Sequence, residues 1–557
     1  MKNYILPLIS LCLLLSCQPE PADMVILSAK VVTVDEDFSI HEALAIRDSQ
    51  FVAIGTDDEI ENFIGPDTKT LEFDGAMVLP GLIDAHAHLH SLGDKLASLN
   101  ISDCKSFDEV VSALAEKVKD LEPGEWIIGG RWDHTRWEER VFPVHDEISR
   151  VSPDNPVYLS RVDGNSAFVN GKALEMAGIK KSTPDPEGGR IIRKPDGEPT
   201  GVLINRAMNM VKGLFPELTG EQKKQRFLDA VDYCNQMGLT GIHEAGVGPG
   251  EIAMYKSIID QGDLNIRLYA MLGEQEVPVL NVELEPYFRA NKIDNYGNHM
   301  LKVKSIKLFF DGALGSRGAA FFEDYADDPG NNGLLRINPE YITKVSKAAL
   351  AAGMGVNTHC IGIRGNRLCL EAYQDALKEF PGTDHRFRIE HAQVVRYEDI
   401  QLFTDLGVIP SMQPTHCTSD MRFIEQRTGA DRAKYSYAWR SFIDSGHKIP
   451  CGSDFPVESV NPLWGIYSSV TRQDHSGWPE GGWHPEQKMT IEEAIKGFTI
   501  WAAYGAWQED ILGSIEVGKL ADLTVLDKDL LTIEPREILE TKVLATIVGG
   551  KVKFLQY

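Results

Sequence analysis

The sequence predicts an α/β protein: a (β/α)8 TIM-like barrel carrying a small β-sandwich built from both chain ends. Three observations predict it. Strand-like apolar runs alternate with helical patterns through the middle of the chain, the mark of a parallel sheet or barrel. The two ends are instead rich in β-branched residues and turns. Six polar side chains recur where the central strand-like runs end, and the C-terminal rim is where barrels carry their active sites. A chain of 557 residues has room for a large barrel and an accessory domain.

The chain opens with "MKNYILPLISLCLLLSCQPEPAD". Lys2 gives a minimal positive start, and the apolar run Ile5–Leu15 is short for a membrane span. Residues 1–17 read as a secretory signal. "LLSC" further resembles a bacterial lipobox in which Cys17 is lipidated, leaving 18–23 as a tether; the alternative is an ordinary cleaved signal with an incidental cysteine. The expected location is therefore outside the cytoplasm, lipid-anchored at a bacterial membrane, periplasmic or at the cell surface. Six cysteines follow Cys17 without a C-x-x-C pair, and they read as small buried hydrophobes.

Residues 24–79 contain "MVILSAKVVTVD", "ALAIRDSQFVAIG" and "KTLEFDGAMVLP"; residues 511–557 contain "GKLADLTVLDKD" and "KVLATIVGGKVKFLQY". Both stretches predict antiparallel strands that join in one sandwich. Between them, 80–510, lie ten strand candidates where a barrel needs eight. The stretch 92–237 is long and irregular, so it is read as an insertion carrying "EWIIGGRW" and "PVYLSRV". The remaining eight are "GLIDAHAHL", "TGIHEAG", "IRLYAML", "SIKLFFDG", "GVNTHC", "RIEHAQ", "VIPSMQP" and "KIPCGSD".

Their ends bring His86 and His88, Lys307, His359, His391 and Asp454 to one rim, a set suited to metal binding. His86 and His88 are two residues apart, so a strand points both to one face, about 7 Å apart along it. His90 keeps the parity but is expected in the following loop, outside the ligand set. Lys307 lies in an apolar strand, where an ammonium is costly to bury. A buried lysine loses its proton more readily, and the neutral amine reacts with CO2 to give a carbamate, N6-carboxylysine, able to bridge two cations.

The pattern resembles the amidohydrolase superfamily, specifically its amidohydrolase family 3 branch, which includes N-substituted formamide deformylase. The stretches that carry the resemblance are "VLPGLIDAHAHL", "NGKALEMAGI", "DGEPTGVL", "IKLFFDGALGSRGAA", "NTHCIG", "RIEHAQ", "MQPTHCTSD", "GSDFPVESVNPLWGIYSSVTR" and "GSIEVGKLADLTVLDKD". It implies one metal at His86, His88 and Asp454, a second at His359 and His391, and a carboxylated Lys307 between them. One or two divalent ions, Zn2+ by ligand type, are implied. Two positions depart from the family: Ile363 stands where an aspartate is expected, and Asn165 stands where a histidine is.

The resemblance implies metal-dependent hydrolysis of a C–N bond in a non-peptide amide, formamide or cyclic amide. A bound water would ionise near pH 7 (about 7), with Asp454 as proton carrier; the other reading of Asp454 is a metal ligand alone. His416 is expected to end the seventh strand and either donate to the developing oxyanion, contact substrate, or serve structurally. Arg161 and Trp132 in the insertion, read as a lid over the barrel, and Asp311 and Arg317 after Lys307, are candidate substrate contacts; packing or ion pairing is the other reading of each. The alternatives are the same site acting on an ester, lactone or carbamate, or a non-catalytic surface binding lipoprotein; the intact ligand set argues against the latter. The expected partner is a small-molecule substrate. A net charge of −26 argues against nucleic acid, and leaves the lipid anchor as the membrane contact.

Overall fold

The computed structural model describes residues 19–138, 140–273 and 283–556. The signal 1–17, with Cys17, and the first tether residue lie outside the described residues. Among the described residues no helix is long and apolar enough to cross a membrane. One compact unit comprises the chain up to His88 together with the chain from Val231 onward; the other is Leu89–Ala230.

In the larger unit seven parallel strands lie side by side in chain order: β1 (Leu82–Ala87), β2 (Leu239–Val247), β3 (Arg267–Gly273), β4 (Leu301–Phe309), β5 (Gly355–Cys360), β6 (Arg388–His391) and β7 (Ile409–Ser411). Every residue of β1 and β3 is buried, as expected for parallel strands covered on both faces. The intervening helices carry clear boundaries. Helix Pro339–Ala351 starts with proline in its first turn behind an Asn338 cap that accepts from the Tyr341 amide. Helix Tyr397–Leu406 stops at Gly407, whose φ of 67° suits glycine.

The eighth strand is a correction. "KIPCGSD" forms no regular strand, but its backbone still closes the ring. The Met412 amide donates to Pro450 O at 3.0 Å, and Gly452 returns a bond to Met412 O at 3.1 Å. On the other side Ala85 donates to Cys451 O at 3.0 Å, and Asp454 donates to His86 O at 2.7 Å. Pro450 has no amide to offer, and Asp454 has a left-handed φ of 59°, so the ladder cannot lengthen.

Both chain ends do build one sandwich. Strands Gln50–Gly55, Ala43–Arg47, Met24–Leu27 and Lys69–Glu72 form one sheet. Lys551–Leu555, Val543–Val548, Leu523–Leu526, Met77–Pro80, Lys30–Val32 and Ile40–His41 form the other. Ile26, Leu44, Val31, Val78, Val525 and Ile547 meet in its core. Each such side chain contributes about 1.5–3 kcal/mol relative to exposure. The pairing is not purely antiparallel. Met24–Leu27 and Lys69–Glu72 run parallel, as do Lys30–Val32 and Met77–Pro80. The chain switches from the first sheet to the second twice in the same direction, which aligns the two passes.

The smaller unit is more regular than its sequence suggests. A six-stranded sheet runs Gly189–Arg193, Pro199–Asn205, Ser166–Val169, Val157–Arg161, Ile127–Trp132 and Leu99–Asn100. Val157 and Leu159 enter one buried cluster while Tyr158 enters another, so the strand's alternation serves cores on both faces. The "RKPDGEP" stretch inside "STPDPEGGRIIRKPDGEPTG" is a hairpin turn: Gly197 has φ 94°, and Lys194 donates to Glu198 O at 2.7 Å. Among the described residues all six cysteines are free thiols; five are buried and Cys104 is half-buried.

Candidate metal centre

Strand alternation sends Asp84 and His86 of β1 to one face, and His88 follows just past the strand end. His86 and His88 place their Nε2 atoms 3.7 and 3.2 Å from Asp454 Oδ1. The loop bearing Asp454 is held by Asp84. Its carboxylate accepts the Ser453 amide at 3.1 Å, the Ser453 hydroxyl at 2.6 Å and the His86 amide at 3.0 Å. Burial raises the Asp84 pKa to about 7 against these bonds. Gly452 permits the close approach: a Cβ there would lie 2.6 Å from both Asp84 Oδ1 and His86 N.

Burial alone would raise the Asp454 carboxyl. The His88 bond and the interactions with the neighbouring imidazoles outweigh it and hold the group well below the usual carboxylate range. Burial, aided by Lys307, lowers His86 to about 4 and His359 to about 3. Burial and His359 likewise depress His391. These three rings are neutral at pH 7 and have lone pairs to offer.

Lys307 of β4 is fully buried. Burial brings its pKa down to about 8, although Glu390 and Asp454 pull upward, so roughly a tenth of the amine is neutral at pH 7. Its Nζ lies 2.9 Å from His86 Nε2 and 4.8 Å from the centre of the Phe309 ring.

His391 breaks the parity of β6. Arg388 and Glu390 already occupy the inward positions; a φ of 75° turns His391 inward as well. Its ring comes 4.5 Å from that of His359 and 4.9 Å from that of His86. Gln413 Oε1 lies 2.6 Å from its Nδ1, so Nδ1–H donates there and Nε2 is left for a ligand. His416 does not end a strand: β7 stops at Ser411, and His416 sits on helix Pro414–Asp420. It stacks on His391 at 5.8 Å and puts Nε2 3.7 Å from Asp454 Oδ2.

Two ligand sets have donor atoms within 4.8 Å of one another: His86, His88 and Asp454, and His391, His416 and Asp454. His359 belongs to neither set, although its ring packs on His391. The Nε2 atoms of His359 and His416 are buried without a hydrogen-bond partner. Orphaned imidazole nitrogens, that of His416 lying 3.7 Å from the ionised Asp454, fit a divalent cation that takes nitrogen and oxygen donors.

Several residues that shape the site were absent from the sequence-level ligand set. Glu390 Oε2 lies 2.5 Å from His86 Nδ1. Arg388 and His86 hold Glu390 well below the usual range despite burial, so His86 Nδ1–H is the donor. Arg388 pairs with Glu390 at 2.7 Å and donates to Ala85 O at 2.6 Å and Ser411 Oγ at 2.7 Å. The available signal was the alternation in "RIEH": two charges on the inward face of a strand covered on both sides.

Of the candidate substrate residues, Asp311 stands beside the site, with Oδ1 3.6 Å from His359 Nε2. Asp311 is fully buried, and its oxygens accept the amides of Ala320, Ile361 and Gly362 at 2.8–2.9 Å. Arg317 is engaged by Asp327 at 2.8 and 3.1 Å. Trp132 is a correction: at 1% exposure, with its indole donating to Leu159 O at 2.8 Å, it is core of the smaller unit and offers no surface to a substrate. Arg161 pairs with Asp133 and Asp163 in that same unit. His90 lies in helix Leu89–Ala97 rather than a loop, with its ring 5.4 Å from Phe227. Ile363 begins helix Ile363–Leu377 as a buried apolar residue. Asn165 is exposed in a turn closed by its amide on Asp163.

Comparison with known proteins gives the family and the fold. Residues 70–554 match the amidohydrolase family. The chain is 32% identical over 544 residues to protein LONG AFTER FAR-RED 3 of Arabidopsis thaliana, covering 95% of this chain and 91% of that one. It is 26% identical over 543 residues to N-substituted formamide deformylase of Arthrobacter pascens, covering 96% and 98%. Its fold matches that of an uncharacterized metal-dependent hydrolase from Pyrococcus furiosus with a TM-score of 0.73 at 24% identity, over 91% of this chain and 100% of that one.

Proposed function

Because the chain belongs to the amidohydrolase family, we propose that it hydrolyses a carbon–nitrogen bond of a small non-peptide substrate: an amide, a formamide or a cyclic amide. The observation that carries this reading is the sharing of one ionised carboxylate, Asp454, by two histidine-bearing ligand sets. The deformylase relative supports the bond class.

His86, His88 and Asp454 would hold one zinc ion, and His391 with His359 a second. Bound there, the metal supplies Lewis acidity and a water that ionises near neutral pH. The chain's own groups do the rest. Glu390 fixes His86 with Nδ1 protonated and the lone pair on Nε2. Gln413 does the same for His391. Asp454 takes a proton from the attacking water and delivers it to the departing nitrogen. His416 Nε2, facing the same carboxylate, donates to the substrate carbonyl oxygen as charge develops there.

As an ammonium, Lys307 would donate to His86 Nε2 across 2.9 Å and consume the lone pair that a metal needs. Its neutral amine attacks CO2, the C–N bond forms, one proton leaves, and an anionic carbamate results. That anion frees His86 and adds an oxygen donor.

The test is turnover by the zinc-loaded protein of N-formyl amines, N-acyl amines, cyclic amides and simple esters. Amide cleavage that is lost to a chelator and restored by Zn2+ or Mn2+ is expected. No amide cleavage, or cleavage insensitive to chelation, overturns the reading; ester cleavage alone overturns the bond class. We also propose export and lipid anchoring at Cys17, on the strength of "LLSC". Cys17→Ser should move the protein from the membrane fraction to the soluble one.

A further inference from the structure

A cavity of about 580 Å3 lies between helix Pro414–Asp420, the chain just after Asp454, and helix Pro462–Thr471 with the loop that follows. That volume suits a small-molecule site. It adjoins the candidate metal centre, because Thr415, in its wall, is the neighbour of His416. The wall carries one charge without a counter-ion. Arg422 is neutralised by Asp474. The half-buried Glu458 takes the Ser419 hydroxyl at 2.6 Å, and no Lys or Arg holds it among the described residues. It lies within electrostatic reach of His416 and Asp454. The wall also holds Trp464, whose ring meets that of His475 edge-on at 4.1 Å. Thr415 is 4% exposed, and its Oγ1 has no hydrogen-bond partner among the described residues.

An uncompensated carboxylate in a partly dry wall is costly, and an orphaned buried hydroxyl adds to the cost. Both are relieved by a ligand bearing a cationic amine: its charge pairs with Glu458, an aromatic face offers a second favourable contact, and a polar atom meets Thr415. An anionic or purely apolar ligand would leave Glu458 uncompensated. We propose that this cavity is the specificity pocket of the enzyme and selects substrates carrying an ammonium group remote from the scissile bond, with Glu458 as its counter-ion. The proposal rests on the C–N hydrolase reading for what is cleaved, but not for what is bound.

The experiment pairs N-benzylformamide with its 4-aminomethyl derivative, and two ketone analogues of these that have no C–N bond to break. The holoenzyme is expected to show at least a tenfold preference for the cationic member, in kcat/KM for the amides and in Kd by calorimetry for the ketones. Glu458→Gln should bring both ratios close to one, Glu458→Asp should keep part of the preference, and thermal melting reports whether each variant folds. A wild-type ratio near one, or a preference that survives in folded Glu458→Gln, overturns the proposal. A ketone preference without cleavage of either amide leaves the cation pocket standing and overturns the hydrolase reading instead.

Discussion

Glu390 accepts the Nδ1 proton of His86 across 2.5 Å, both side chains being buried. That bond fixes which nitrogen of His86 faces the centre, and Arg388 keeps the carboxylate ionised from the other side. Glu390→Gln preserves the shape but removes the charge that favours the Nδ1–H tautomer. Loss of such an outer partner typically costs about 10–100-fold in metal affinity. Competition with a chelator of known affinity measures it; an unchanged dissociation constant would show that Glu390 only fills space.

Asp454 is the carboxylate common to both ligand sets, and its loop is pinned by Asp84 through Ser453. Asp454→Asn removes the proton acceptor and weakens the ligand while leaving that loop anchored. A fall in kcat of about 10²–10⁴-fold is expected, typical of a lost general base, with a near-wild-type melting temperature. Full activity would refute the assignment of Asp454 as proton carrier.

The sequence made much of this arrangement legible, for identifiable reasons. His86, Lys307 and His359 stand out because each is a polar side chain toward the end of a buried parallel strand, and Asp454 because it ends the eighth segment of the ring. Strand period accounts for His86. It does not account for His391, which faces inward only because its φ of 75° reverses the alternation. A left-handed backbone on a non-glycine residue leaves no mark in composition. Glu390 was hidden for a related reason: a buried charge in a strand is visible, but its partner, His86, is 304 residues away. The smaller unit was misread as irregular because its strands alternate between two separate cores, so neither face gives a continuous apolar stripe.

Lys307 faces two fates, ammonium donor to His86 or carbamate. Burial lowers its pKa to about 8, which supplies neutral amine at neutral pH. If the carbamate forms, intact mass after gentle isolation in bicarbonate should show an added CO2, and metal stoichiometry should rise with bicarbonate. Lys307→Arg, which stays charged, should show neither effect. Equal metal content with and without bicarbonate in the wild-type protein argues against the bridge.

Gly452 tests the closure of the barrel. Its missing Cβ leaves room for Asp84 Oδ1 and His86 N, each 2.6 Å from where that atom would stand. The first is a pinned carboxylate and the second is backbone, so neither yields easily. Gly452→Ala should cost about 1–3 kcal/mol of barrel stability by overpacking, seen in urea unfolding, and should also weaken metal retention by moving Asp454. Unchanged stability would mean that the eighth segment is loosely seated.

His447 gives a pH dependence that is independent of any metal. It packs against Phe442 and Phe403 at 5.5 and 6.2 Å between ring centres, with Nε2 2.9 Å from Thr404 Oγ1. Burial lowers its pKa from 6.5 to about 4. The unfolded chain therefore takes up this proton first as pH falls, which favours unfolding. The contribution of neutral His447 is complete above pH 6.5 and is lost as pH falls from there toward about 4. His447→Gln has no such proton to gain. The stability difference between wild type and His447→Gln should shrink by about 1–2 kcal/mol between pH 7.5 and pH 5, read from the barrel's urea transition at each pH. An equal difference at both pH values would mean that His447 protonates as readily in the folded protein as in the unfolded chain.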